Sequence, residues 1–188
     1  MAATIRHMGD PNTPLPDCLV VDTSLLLAPI TPQSRPSHVT GVAFLNKIAP
    51  IARNYELLIL VPVLVIEECF YKLIQWYYLS QGYTSRNWHS DGYKQNPHLI
   101  TNVLPQLRSF HQDVKNFPIT IVGPDDLIAT VASATPTLDE LLLANIDAFQ
   151  ILPKDAYIFA EAQRLGVDTV ATLDGDWNRA DGFTVIAP

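Results

Sequence analysis

The sequence predicts an α/β protein, a three-layer α/β/α sandwich around a central, mostly parallel five-stranded sheet. Three observations predict it. Short apolar runs rich in Val, Ile and Leu recur along the chain, the pattern of strands buried on both faces. Longer segments with helical spacing separate these runs, as crossover connections between parallel strands require. The chain has 188 residues, 48% apolar and 16% charged, enough for one sizeable core and too few for two comfortable domains. The whole of 1–188 therefore reads as a single domain.

The elements follow in order. Residues 1–17, "MAATIRHMGDPNTPLPD", are polar and broken by proline, and read as a leader. Residues 18–23 form the first buried strand, and 29–38 a loop. From Val39 to Asn54, apolar residues at 42, 45, 48, 49 and 52 mark an amphipathic helix. "YELLILVP" (55–62) is the second strand. Residues 63–80 are apolar almost all round, so their helix is buried or lies at an interface. Residues 81–97 are rich in turn formers and read as a loop; 98–116 read as a helix interrupted at Pro105. Together they form an extended middle insert, about 81–117. "PITIVG" (118–123) is the third strand, and Asp125-Asp126 would cap a short helix to about 133. Thr137 and Glu140 have the spacing of a capping box. Residues 153–166 give the clearest helix, with Pro153 at its start and Gly166 as its stop. Residues 168–173 and 183–187 complete the five strands.

Charge and composition exclude several functions. Residues 1–120 hold 9 Lys and Arg against 8 Asp and Glu, whereas 121–188 hold 3 against 11. Such a chain lacks a strongly basic face for duplex DNA. No run of 18 apolar residues exists, so no membrane span is expected. The N-terminus has no apolar signal core, and the expectation is a cytoplasmic protein. Cys18 and Cys69 sit in apolar runs without zinc spacing, which suits reduced, buried thiols. No GxGxxG or GxSxG occurs, which argues against dinucleotide enzymes and serine hydrolases.

What remains is a set of acids. Asp22 sits inside "LVVDTSLLL", where an unpaired carboxylate would be costly. Asp174 and Asp176 follow the fourth strand in "ATLDGDW", Asp155 opens the helix before it, and Glu67 and Glu68 lie early in the helix after the second strand. Ligands of open parallel sheets bind outside the carboxyl ends of the strands, and all these acids are candidates for that edge. Singly, each has an ordinary role: Asp22 as a helix cap, Asp155 as a first-turn acid, Asp174-Gly175-Asp176 as a turn. Jointly they point to one site. Clustered carboxylates repel, and the stable arrangements are raised pKa values or a bound hard cation such as Mg²⁺ or Mn²⁺.

"VVDTSLLL", "VPVLVIEE" and "PKDAYIFAEAQRLGVDTVATLDGDW" resemble the motifs of PIN domains, the fold of many VapC-like toxin ribonucleases. The closing segment carries most of the likeness; 81–117 carries none. The resemblance implies metal-binding and catalytic roles for Asp22, Glu67, Asp155 and Asp174. Asp176 would be an auxiliary metal ligand, and Thr172 or Thr23 a nearby hydroxyl. Glu67 has the motif's spacing from Pro62. Adjacent helix positions diverge by about 100°, so only one of Glu67 and Glu68 faces the site, and Glu68 stays an alternative.

The reading is a Mg²⁺- or Mn²⁺-dependent endoribonuclease of toxin type, acting on single-stranded or structured RNA. An antitoxin protein is the partner the resemblance implies, and the apolar helices suit a homodimer. Lys72, Arg86, Lys94, Arg108 and Lys115, interleaved with Tyr83, Trp88 and Tyr93, make a modestly basic, aromatic stretch of the kind single-stranded nucleic acid favours. The alternative is a non-catalytic PIN-like module that binds RNA or protein. A phosphatase of the haloacid dehalogenase kind fits poorly, because the first strand ends in "DTS" without the required DxD.

Overall fold

The computed structural model describes residues 3–31, 35–123 and 136–188. The helix expected from Asp125-Asp126 lies outside them. The described residues form two compact units, Met1–Val65 with Pro118–Pro188, and Ile66–Phe117.

The first unit holds one sheet of six strands: β1 (Thr4–His7), β2 (Cys18–Val21), β3 (Leu58–Pro62), β4 (Thr120–Val122), β5 (Thr169–Ala171) and β6 (Thr184–Ala187). Their order is β1-β6-β5-β2-β3-β4, and every pairing is parallel. The sheet therefore has six strands rather than five and is wholly parallel. The extra strand, β1, lies within residues 1–17, which were expected to be a leader. It was illegible because "TIRH" is an edge strand without a buried residue, so no apolar run marks it.

The central strands owe their form to their side chains. Leu19, Val20, Val21, Ile59, Val61, Val170 and Val185 are buried, as β-branched and aliphatic residues covered on both faces should be. Helix α1 (Thr23–Leu26) follows β2 directly, and α2 (Pro36–Arg53) leads on towards β3. α2 starts three residues before the apolar pattern does, with Pro36 in its first turn, where the missing N–H costs nothing. Phe44, Leu45, Ile48, Ala49 and Ala52 form its buried face.

Helix α3 (Val63–Ser80) leaves β3 and runs into the second unit, which also contains α4 (Ile100–Asn116). α4 continues through Pro105. Residues 88–93, expected to be loop, form a π-helical turn. Back in the first unit, α5 (Leu138–Phe149) opens with the expected Thr137–Glu140 capping box, and α6 (Pro153–Arg164) precedes β5. No helix among the described residues is long and apolar enough to cross a membrane. Cys69 is buried and Cys18 half-buried, neither in a disulfide, and burial pushes the Cys18 thiol up.

Candidate functional site

From β2 the chain builds outward to β3 and β4; on the other side of β2 stand β5 and β6. The order reverses between β2 and β5, and a crevice opens at such a switch point beyond the strands' carboxyl ends. Asp22 is the first residue past β2, and Asp174 the third past β5. The topology itself thus brings two of the predicted acids to one crevice.

Asp22 caps α1, as the ordinary reading of it holds. The Leu25 N–H donates to its Oδ1 at 3.1 Å. Three further contacts come from hydroxyls. Ser24 Oγ donates to Oδ1 at 2.9 Å and lies 3.1 Å from Oδ2. Thr172 Oγ1 donates to Oδ2 at 2.8 Å. Each hydroxyl is aimed by a backbone donor from the end of β5: the Leu173 N–H reaches Ser24 Oγ at 2.8 Å, and the Asp174 N–H reaches Thr172 Oγ1 at 2.9 Å. A hydroxyl that accepts from a backbone N–H has its own proton free to give, and here the proton goes to Asp22. The two loops are stitched together through this one carboxylate.

Despite these donors, the Asp22 carboxyl is pushed up from 3.8 to about 7. Its burial is the main cause, the hydrogen bonds from Thr172, Leu25 and Ser24 oppose it, and the negative charge of Asp174 adds to it. At neutral pH the pair is an acid held on the edge of ionisation beside a second, exposed acid.

The remaining predicted residues are placed as follows. Asp174 caps the short 3₁₀ helix Gly175–Arg179, accepting from the Asp176 N–H at 3.0 Å. Asp176 is exposed and pairs with Arg179 at 2.8 Å. Asp155 is half-buried in the first turn of α6. Residues four apart share a helix face, and Phe159 packs on the buried Trp177 with ring centroids 4.2 Å apart and planes tilted by 35°. Asp155 therefore lies on the α6 face that packs against the turn after Asp174. Glu67 is exposed and Glu68 half-buried, both on α3 and in the other compact unit.

Among the described residues, no three His, Cys, Asp or Glu side chains gather as a ready-made metal cluster. The donor set still suits a hard cation. Magnesium takes oxygen ligands, keeps several waters and commonly uses only one or two carboxylates. A carboxylate whose pKa is raised by burial and by a neighbouring acid would be relieved by a divalent charge. Asp22 and Asp174 offer such a pair. Thr172 was anticipated as a nearby hydroxyl; Ser24 was not, although a Ser two residues after an N-cap Asp is a readable signal for such a contact.

Neither a protein-family model nor a curated protein sequence matches the chain. Among solved structures, it is similar to a chain of the crystal structure of VapBC2 from Rickettsia felis bound to a DNA fragment from their promoter. The TM-score is 0.51 at 13% identity, over 90% of this chain and 98% of that one. It is also similar to a chain of FitAcB from Neisseria gonorrhoeae, with a TM-score of 0.45 at 18% identity, over 89% and 96% of the two chains. The VapBC2 likeness is one of fold, and a three-layer α/β/α sandwich fits it.

Proposed function

We propose that this chain is a PIN-type, metal-dependent endoribonuclease, with Asp22 and Asp174 at its centre, Asp155 on the adjoining face of α6 and Asp176 auxiliary. The observation that carries the reading is the Asp22 carboxyl: buried at the switch point of a parallel sheet, clamped by Ser24 and Thr172, and within the field of Asp174. Mg²⁺ or Mn²⁺ bound there would supply an activated water and offset charge developing on a phosphodiester. The chain's own residues do the positioning. Leu25, Ser24 and Thr172 fix the orientation of Asp22. Trp177 and Phe159 close the apolar side of the turn that presents Asp174. The fold likeness to a VapBC2 chain supports the reading, and by the same resemblance a small antitoxin protein is its expected partner in the cytoplasm.

The decisive experiment incubates purified protein with single-stranded RNA. Cleavage is expected with Mn²⁺ and not with EDTA, and Asp22→Asn should abolish it. Cutting that survives chelation would end the proposal.

A second reading, a non-catalytic module binding RNA or protein, draws on the completeness of the Asp22 hydrogen bonding, which gives that carboxylate a structural role of its own. Thermal melting separates the two, because a ligand that binds only the folded state raises the melting temperature. A melting point indifferent to Mn²⁺ would favour the second reading.

A further inference from the structure

The second compact unit carries a feature that the acidic site leaves unused. Residues 87–94 wind as a π-turn, with the Lys94 N–H donating to the His89 carbonyl at 3.0 Å and the Gly92 N–H to the Asn87 carbonyl at 3.3 Å. π-turns are rare and recur at functional sites. This one is held by packing. Trp88 is buried beneath it, edge-on to Tyr71 at 5.3 Å, and the Tyr78 hydroxyl donates to the Asn96 carbonyl at 2.9 Å. Gly92 lies so close to Tyr78 that a Cβ would meet its ring at 2.9 Å. Any side chain there would lift the turn off its support.

The outer side of the turn displays rings. His89 is exposed and Tyr93 half-buried, and the two stack with centroids 5.6 Å apart at 27°. Trp88 meets the His89 ring edge-on at 5.6 Å, which fixes its tilt. Lys94, the residue after Tyr93, is exposed. Neither Lys94 nor Arg86 is in an ion pair among the described residues. Asp91 shares the turn, so the local charge suits one or two phosphates rather than a long track. The rest of the chain directs a polyanion here: residues 66–117 hold 5 Lys and Arg against 4 acids, whereas the remainder holds 7 against 15.

We infer that His89 and Tyr93, with Lys94, form a base-stacking subsite for single-stranded RNA. Stacking is tolerant of sequence because every base has a π-face, and a flanking cation takes the phosphate. The inference rests on the ribonuclease reading for its choice of RNA, but its test needs no cleavage. Fluorescence anisotropy would follow an oligouridine of about 12 nucleotides, within the span of ordinary single-strand sites, on the full chain carrying Asp22→Asn in EDTA. His89→Ala and Tyr93→Ala should each weaken binding by about tenfold, the scale of one lost base stack. Tyr93→Phe, which keeps the ring, should bind as the parent does and so separates stacking from folding. Lys94→Gln should lower the salt slope by about one. Affinity unmoved by both alanines, or a duplex bound as tightly as the single strand, would overturn the inference. Wild-type cutting with unmoved affinity removes the stacking subsite alone. Ring-dependent binding without Mn²⁺-dependent cutting removes the nuclease reading alone.

Discussion

Among the described residues two carboxylates are buried, Asp22 at the end of β2 and Glu161 midway along α6, and burial pushes both up to about 7. Their surroundings differ in kind. Asp22 accepts from Leu25, Ser24 and Thr172 and feels a second acid, Asp174. Glu161 has an oxygen, Oε2, without any partner; Nε of Arg164, one turn on, is likewise unpartnered. Burial alone accounts for the shift of Glu161. The shared pKa therefore does not mark a site. Converging donors and a neighbouring acid at the sheet's switch point distinguish the proposed site, and of these two residues only Asp22 has them.

The largest effect that can break this contrast is on activity. Asp22→Asn should lower Mn²⁺-dependent RNA cleavage by about a thousandfold or more, the scale of losing a preorganised electrostatic anchor. Glu161→Gln should stay within about threefold in the same assay. Equal losses in both would erase the distinction. Next comes metal linkage: Mn²⁺ at a hundred times its Kd should stabilise the wild type by about 2.7 kcal/mol. Calorimetry should show that gain kept in Glu161→Gln and gone in Asp22→Asn.

The pH dependence sharpens the contrast further. Folding raises the Glu161 pKa from 4.5 to about 7, so the native state holds this proton more tightly than the unfolded chain does. Stability from it is full below about 4.5, falls as pH rises through about 7, and is flat beyond. Glu161→Gln removes that fall. Urea unfolding should show the variant near parity at low pH and more stable by about 2 kcal/mol at pH 8; parity at both ends would refute the buried, unpartnered state of Glu161. The smallest effect is Thr172→Val, which leaves the Asp174 N–H without its acceptor and Asp22 without one donor. It should cost about 1–2 kcal/mol and raise the Asp22 pKa further, a shift that NMR titration of the carboxyl would detect.

Much of this architecture is written in local pattern. The runs at 18–21, 58–62 and 169–171 are apolar because parallel strands are covered on both sides, and the Pro153 start and Thr137–Glu140 box are short-range chemistry that does not depend on the fold. β1 escaped because pairing with β6 demands only backbone from an edge strand. The 88–93 turn escaped because its packing rests on Gly92 against Tyr78, a contact between residues in different elements. At the site, Asp22 and Asp174 were readable from their positions after strands. Ser24 carried a local signal, its spacing from the capping Asp, that went unused; away from the site, the burial of Glu161 was not readable, since an acid in a mixed helix looks unremarkable until burial is known.

The β1–β6 pairing aligns Thr4 with Thr184, and among the described residues no two strands are joined by a hairpin. Every ladder must therefore be closed across a long loop whose entropy is lost before any contact rewards it. Slow folding is therefore the expectation, and β1, paired on one side only, is the strand expected to fray first. Amide exchange at residues 4–7 should accordingly outpace that at 19–21.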